Sequence, residues 1–450
     1  MGVENSILQW TTTIPKEWDI IRINDVKDRK SYYPIGDGDH GSISPENYQD
    51  EGVPYIRVQN LTWGKDINFN DIVYISERIN NKNRKSILKS GDILIAKTGA
   101  TIGKTGIIPA DIIKANTTSS VGKITVDNTI ACNTYVYYCL ASDICQKQMW
   151  GRASMKSAQP GFNIEELIKF KIPLPNIKEQ KLIVDFLDNK IGIIEGVLND
   201  LNKQVEILEK YKKSLITEKV TKGLNSEIKM KDSGIDWIGM IPENWEIKPI
   251  KYISKVHSSI RIFEEEYVEN GIPFFRTKEI AELANNKEIS LELYITKERY
   301  NKLKGNHVKK GDILISSIGT IGEVWISDGR DFWYKDGNIT QIDCGESFDS
   351  EYIKYFIKSN CFVESIKYWE STTTISALTI EKIKKICITF PSILEQQKIV
   401  EFLNKKCIQI DEIIKDKQIQ IDKIEKHKKS LIYEYVTGKK RVKGAEELYV

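Results

Sequence analysis

Most of the chain carries its apolar residues in short runs, but in two stretches they come singly, three and four residues apart. In the first stretch the apolar positions are Val184, Leu187, Ile191, Ile194, Leu198, Leu201, Val205, Leu208 and Leu215, with Lys212 the one interruption. Alternating steps of three and four keep a narrow stripe on one side of an α-helix. The second stretch repeats the rhythm through Val400, Leu403, Cys407, Ile410, Ile414, Ile421, Ile424 and Leu431, interrupted by Lys417 and Lys428. Both helices are otherwise charged, so each stripe needs a partner surface. The most economical partner for each is the other, packed antiparallel; a coil formed with another molecule is the alternative.

The two stretches are also copies of one another. Glu179–Thr221 laid on Glu395–Thr437, without a gap, matches at 20 of 43 positions. The duplication reaches outward from there. Asn5, Ser6, Trp10, Ile14, Pro15 and Trp18 reappear as Asp232, Ser233, Trp237, Ile241, Pro242 and Trp245. GVPYIRVQNL from Gly52 matches GIPFFRTKEI from Gly271, and LKSGDILIAKTGATIG from Leu88 matches VKKGDILISSIGTIG from Val308. The offset falls from 227 at the leader to 216 in the helices. The halves therefore share a frame and differ in their loops.

Each half reads as a globular head followed by a long helix. Short β-branched runs bounded by glycine and polar clusters, such as Ile72–Ile75, Ile93–Ile95, Ile313–Ser316 and Glu323–Ile326, predict short and mostly antiparallel strands. Short helices over Ile164–Lys169 and Leu378–Lys384 lead through extended bridges, Ile172–Pro175 and Ile386–Pro391, into the long helices. The fold class is α+β, with two mixed α/β heads and an internal pseudo-twofold repeat. The expected boundaries are a first head over 1–175, a helical region over 176–222, a polar linker over 223–240, a second head over 241–391, a helical region over 392–437 and a tail over 438–450.

A chain of 450 residues has room for two to four domains, and its net charge of +3 permits nucleic-acid binding without arguing for it. Seven cysteines without a CxxC pair predict a reduced, cytoplasmic protein with no structural zinc. No apolar run reaches membrane-spanning length, and no signal peptide opens the chain. Gly99, Gly103, Lys104 and Thr105 imitate a phosphate-binding loop, which would make the chain a nucleotide hydrolase. The glycine spacing is one residue short, Pro109 follows closely, and the second copy, from Gly319 to Glu323, has no lysine. A tight turn after a strand accounts for the glycines better. His40, His257, His307 and His427 stand without ligand spacing, and no catalytic motif is present.

The duplicated features together resemble the specificity subunits of type I restriction-modification enzymes. They are the SGxxWxGxIPxxW-like leader, complete at Ser233–Trp245 and degraded at Ser6–Trp18, the GIPxxR and GDIL elements, and the PLPxxxEQ-like entrance to each long helix, PLPNIKEQ from Pro173 and TFPSILEQ from Thr389. The resemblance implies two target-recognition domains, each reading half of a split site in double-stranded DNA and held apart by the paired helices. It implies two methyltransferase (modification) subunits docked on the helices, and motor and nuclease (restriction) subunits joined through the complex. Catalysis, S-adenosylmethionine, ATP and magnesium would belong to those partners; this chain would bind no cofactor or metal. A stand-alone coiled-coil DNA-binding or scaffold protein is the remaining alternative.

Phosphate contacts call for exposed Lys and Arg, and base reading favours Arg, Asn and Gln. In the first head the candidate DNA contacts are Asp37, Gly38 and His40 of the DGDHG loop, Lys82, Asn83, Arg84, Lys85, Lys97, Arg152, Lys156, Ser157 and Gln159. In the second they are Ser258, Ser259, Arg261, Lys278, Arg330, Lys335, Thr372, Thr373 and Thr374. Arg57 and Arg276 are duplicated, so they hold the frame or touch phosphate rather than select a base. The alternative for each of these residues is a solvated surface role.

The stripe from Val184 to Leu215 is about 48 Å long at about 1.5 Å per residue. At about 3.4 Å per base pair it caps the separation of half-site centres at roughly 14 base pairs. Deleting one heptad from both helices is expected to shorten the spacer and leave both half-sites unchanged, as read from the DNA motif methylated by the assembled complex. A change in the half-sites themselves would show that the helices do not act as a ruler.

Overall fold

The structure, a computed structural model, describes residues 14–154, 160–303, 307–317, 322–345, 348–370 and 378–449. Two compact units emerge, one formed by Met1–Asp200 with Ile419–Val450 and the other by Leu201–Gln418. The long helices run over Ile177–Lys222 and Ile393–Val436, so each helix gives one half to each unit.

In the first unit the leader strand Asp19–Arg22 pairs antiparallel with Lys171–Leu174, the strand that enters the long helix. The first and last strands of the head are thereby joined, which fixes where the helix departs. Between them lies an antiparallel sheet in the order Ile35–Asp37, Val121–Ile124, Ile93–Ala96, Thr105–Ile107. Beside it is a three-stranded sheet, Val73–Ile75, Val53–Ile56, Asn116–Thr117. Its last pairing is parallel, Tyr55 facing Asn116, where the chain crosses from one sheet to the other. The core gathers Trp18, Ile93, Ile95, Ile124 and Tyr135 with Leu187 and Ile191 of the first long helix and Val436 of the second.

The second unit repeats this plan. Glu246–Pro249 pairs with Cys387–Phe390, and the main sheet runs Lys255–His257, Ile339–Asp343, Ile313–Ser316, Val324–Ile326. Its smaller sheet again ends in a parallel pair, Phe274 facing Trp333. Segment 223–240 does not form a free tether. Met230–Asp232 pairs with Met240–Pro242, and Ile235, Trp237 and Ile238 pack on the core of this unit. Its apolar side chains outweigh the polar composition that suggested a linker.

Along the helices, every predicted stripe position is buried or half-buried. In the first unit Phe186 packs against Tyr435, the rings tilted by 33° with centres 4.4 Å apart, and Lys428 reaches Glu195 at 2.6 Å. In the second unit Lys212 reaches Asp411 at 2.6 Å and Lys417 reaches the Gln204 carbonyl oxygen at 2.5 Å. Numbers rise on one helix as they fall on the other, so the helices are antiparallel within each unit. The lysines that interrupt the stripe lay their stems along it and carry their ammonium groups to an acceptor on the facing helix.

Each unit also receives the end of a long helix. Gly438, in the left-handed region, follows the second helix, and a Cβ there would come within 2.4 Å of Pro15 Cδ. Gly223 ends the first helix in the same way against the Trp245 ring. The carbonyl of Val220 accepts from the Tyr352 hydroxyl at 3.0 Å and the Thr389 hydroxyl at 2.5 Å. Beside these helix ends the units differ. In the first, the fully buried Glu179 accepts from the Trp18 indole at 3.0 Å and from Arg441 Nε and Nη2, both at 2.9 Å. In the second, Glu395 is half-buried and the buried Trp245 indole nitrogen has no partner among the described residues.

Removing one partner of a buried ion pair strands the other charge. Arg441→Met is expected to lower the unfolding free energy by about 3 kcal/mol in urea titrations. Glu395→Gln, at the equivalent position without an arginine, should cost less than about 1 kcal/mol.

Candidate nucleic-acid interface

The DGDHG loop of the first head is held from below. Gly38 lies so close to the neighbouring backbone that a Cβ would sit 1.9 Å from the Thr117 carbonyl oxygen, so glycine is a steric requirement there. The buried Asp39 carboxylate accepts from the backbone N–H groups of Gly41 and Ile43, at 3.0 and 2.9 Å, and from the Tyr55 hydroxyl. Burial and that carboxylate together push the Tyr55 phenol well above its ordinary range, so Tyr55 stays a donor. Asp37 takes the Lys97 ammonium at 2.5 Å and the His40 ring at 3.3 Å.

Lys97 is therefore not the surface cation that its place in the sequence suggested. Its side chain is only 6 % exposed, and its role is that of counter-ion to Asp37 beneath the loop. Gly38 and Asp37 likewise shape the loop from within, while His40 and Ser42 are left outside. The Ser42 hydroxyl donates to Asn83 Oδ1 at 3.0 Å, and that one bond joins the DGDHG loop to the second predicted segment. Lys82, Arg84 and Lys85 are exposed beside it. The result is a basic surface assembled from segments more than 40 residues apart. Sequence reasoning missed its third contributor, Tyr32 and Tyr33, over whose rings Arg84 and Lys85 lie. Arg152 is half-buried in the last turn of the helix Asp143–Ala153. Lys156, Ser157 and Gln159 lie outside the described residues.

In the second head, Ser258, Ser259, Arg261 and Lys335 come together around one turn. The Ser258 hydroxyl bridges Ile339 and Gly337, the Ser259 hydroxyl donates to the Tyr334 carbonyl at 2.6 Å, and Arg261 pairs with Asp336 at 2.9 Å. Ser259 is buried and serves the fold; Arg261 and Lys335 are exposed. Three other predicted cations are already paired. Arg276 binds Glu279 and Glu292, and these carboxylates raise its guanidinium above its ordinary value, Glu279 foremost. Lys278 shares Glu292, and Arg330 pairs with Asp328 at 2.5 Å. The duplicate of Arg276 behaves alike, since Arg57 Nη2 donates to the Asp71 carbonyl at 2.7 Å. Each arginine is thus engaged within its own head. Thr372, Thr373 and Thr374 lie outside the described residues.

The phosphate-loop imitation dissolves in three dimensions. Gly99–Thr101 forms one tight helical turn and Thr105–Ile107 is a strand, so no helix N-terminus faces the glycines. Among the described residues no three His, Cys, Asp or Glu side chains gather in a way that would hold a metal ion. No described helix is long and apolar enough to cross a membrane.

The family model for the type I restriction modification DNA specificity domain matches this chain twice, over residues 15–207 and 242–423. The chain belongs to that family. Each match takes in one head and most of one long helix, which is the unit of the internal repeat. Among relatives of this specificity family, the type I restriction enzyme MjaVIII specificity subunit of Methanocaldococcus jannaschii is 26 % identical over 451 residues, covering 96 % of this chain and 94 % of that one. The EcoBI specificity subunit of Escherichia coli is 24 % identical over 205 residues, 46 % of this chain and 41 % of that one. A solved chain from a type I R-M system superposes with a TM-score of 0.70 at 14 % identity, covering 94 % of this chain and 98 % of its own, so the two share a fold.

Two substitutions separate frame from surface. Lys97→Met is expected to cost about 2 kcal/mol of stability by stranding Asp37, as measured by thermal unfolding. Arg84→Ala should leave the melting temperature unchanged and lower the salt dependence of DNA binding by about one contact, as measured by titration at several salt concentrations.

Proposed function

We propose that this chain is the DNA-reading subunit of a type I restriction-modification assembly, its two heads each reading one half of an asymmetric, interrupted site. One observation carries the reading: two heads share a frame, a main sheet of the same strand order beside a second sheet that ends in a parallel pair, and present different residues on it. The first offers His40, Ser42, Asn83, Arg84 and Lys85; the second offers Arg261 and Lys335. Unlike side chains on a common scaffold suit unlike half-sites, and direct reading needs such groups at base edges.

In this reading the chain catalyses nothing. S-adenosylmethionine, ATP and magnesium are used by the partners, two methyltransferase subunits and, through the complex, the motor and nuclease subunits. The helices support the docking of two like partners. Ile193 and Val197 in the first unit are exposed apolar residues on a charged helix, and so are Ile408 and Ile413 in the second. Val197 and Ile413 are equivalent in the repeat, so each unit offers a similar patch to a copy of one partner. The work is done on chromosomal DNA in the cytoplasm.

Co-expressing the chain with the methylating subunit of its own genome, then sequencing host DNA for modified adenines, tests the proposal. The expected result is one bipartite motif with a fixed spacer. Failure of the two proteins to form a complex would overturn it.

A further inference from the structure

The two heads part company between the first strand and the second. In the first head eight residues, Lys27–Pro34, separate the helical turn Ile23–Val26 from the strand Ile35–Asp37; in the second only Ile253 and Ser254 separate Ile250–Tyr252 from Lys255–His257. The extra residues form a loop found in the first head alone. Its sequence, KDRKSYYP, carries two tyrosines among cations.

The loop is well anchored. At its base the Asp28 carboxylate accepts from the Lys30 N–H at 2.9 Å and the Ser31 hydroxyl at 2.5 Å, which hold it below the ordinary carboxylate range, Ser31 foremost. Lys89, 58 residues along the chain, donates to the Ser31 hydroxyl at 2.6 Å. At the tip Tyr33 adopts the left-handed conformation, with φ of 53°, which a bulky residue takes only where its surroundings impose it. Its ring rests on the backbone of Gly36, where a Cβ would approach to 3.1 Å. Lys85 Nζ lies 4.9 Å from the centre of that ring, and Arg84 lies 5.5 Å from the centre of the Tyr32 ring.

In spite of this anchoring the rings are not core. Tyr32 is 62 % exposed and Tyr33 43 % exposed, with centres 5.7 Å apart. An aromatic pair left in water, one ring on a left-handed backbone, with Arg84 and Lys85 over the rings and Arg29 and Lys30 in the same loop, needs a ligand with both negative charge and flat apolar faces. Nucleic acid has both. We infer that the tyrosine loop is a DNA contact peculiar to the first head, with the Tyr32 and Tyr33 rings packed on bases or sugars while the surrounding cations hold phosphate. The inference rests on the reading of the chain as a DNA-specificity subunit and adds a specificity element to one half-site only.

Because the loop is ordered before DNA arrives, little conformational entropy remains to be lost on contact. An aromatic wedge of this kind also favours base steps that unstack easily, so it would select sequence through deformability as well as through contact.

The test uses the chain assembled with its methylating partner. Tyr32→Ala removes a mostly exposed ring and should leave the melting temperature of the complex within about 1 °C of the parent; Tyr32→Ala/Tyr33→Ala removes the whole platform. For the double variant, affinity for the cognate site is expected to fall at least about tenfold, given roughly 1–3 kcal/mol per stacked aromatic. The methylated motif should relax at one or more positions of a single half-site, with the other half-site and the spacer intact. Tyr32→Ala should show a smaller effect of the same kind. Unchanged affinity and motif in both variants would overturn the assignment, as would equal relaxation of both half-sites. A parent complex that bound no bipartite site would overturn the specificity reading and this inference together; a parent that binds normally beside silent variants would overturn the inference alone.

Discussion

Everything in this structure depends on the burial of one narrow apolar stripe per long helix. A mostly charged helix of 46 or 44 residues is not a stable object in water by itself. Packing stripe on stripe removes the problem, and here the helices run in opposite directions within each unit. The terminal turns then have a place to go. Val436 enters the core that holds Trp18 and Tyr135, and Val220 enters the core that holds Trp245 and Tyr352. Each head is thus completed by a helix end from the other copy of the repeat.

The interrupting lysines refine that packing. A stripe made only of Leu, Ile and Val tolerates a slip of one heptad, because the residues that meet afterwards are equally apolar. Lys212, Lys417 and Lys428 do not tolerate it, since each finds its acceptor, Asp411, Gln204 or Glu195, at one register. Polar residues at such positions commonly fix register at some expense of stability. Arg441 works differently, because it bonds a buried carboxylate that a tryptophan already engages and so determines where the C-terminal segment lies.

Much of the architecture was legible in the sequence because it is periodic or repeated. The stripe from Val184 to Leu215 announces its helix by spacing alone, and the duplicated GDIL and PxxxEQ elements announce two heads on one plan. The interactions that close the units were not legible: Arg441 and Glu179 are 262 positions apart with no pattern between them. The surface was legible only in part. Lys82, Arg84 and Lys85 do lie exposed, but Lys97 looked the same in one dimension and turned out to lie under Asp37. Tyr32 and Tyr33 went unnoticed because they sit in an insertion, and a reading guided by duplication overlooks what only one copy possesses. The apolar residues of 223–240 were outvoted by polar neighbours in composition, though not in packing.

The division of the chain into a continuous unit and a discontinuous one sets an order on its birth at the ribosome. Leu201–Gln418 holds everything its own core requires in one stretch, whereas the first unit lacks Ile419–Val450 until the whole of the second has been made. At about 5–20 residues per second, the N-terminal head waits on the order of tens of seconds for the segment that covers Leu187 and Ile191 and supplies Arg441 to Glu179. During that interval its exposed stripe is open to the wrong partner, another nascent copy included. The half of the protein made first is therefore the half finished last, and it is the one most in need of protection while it waits.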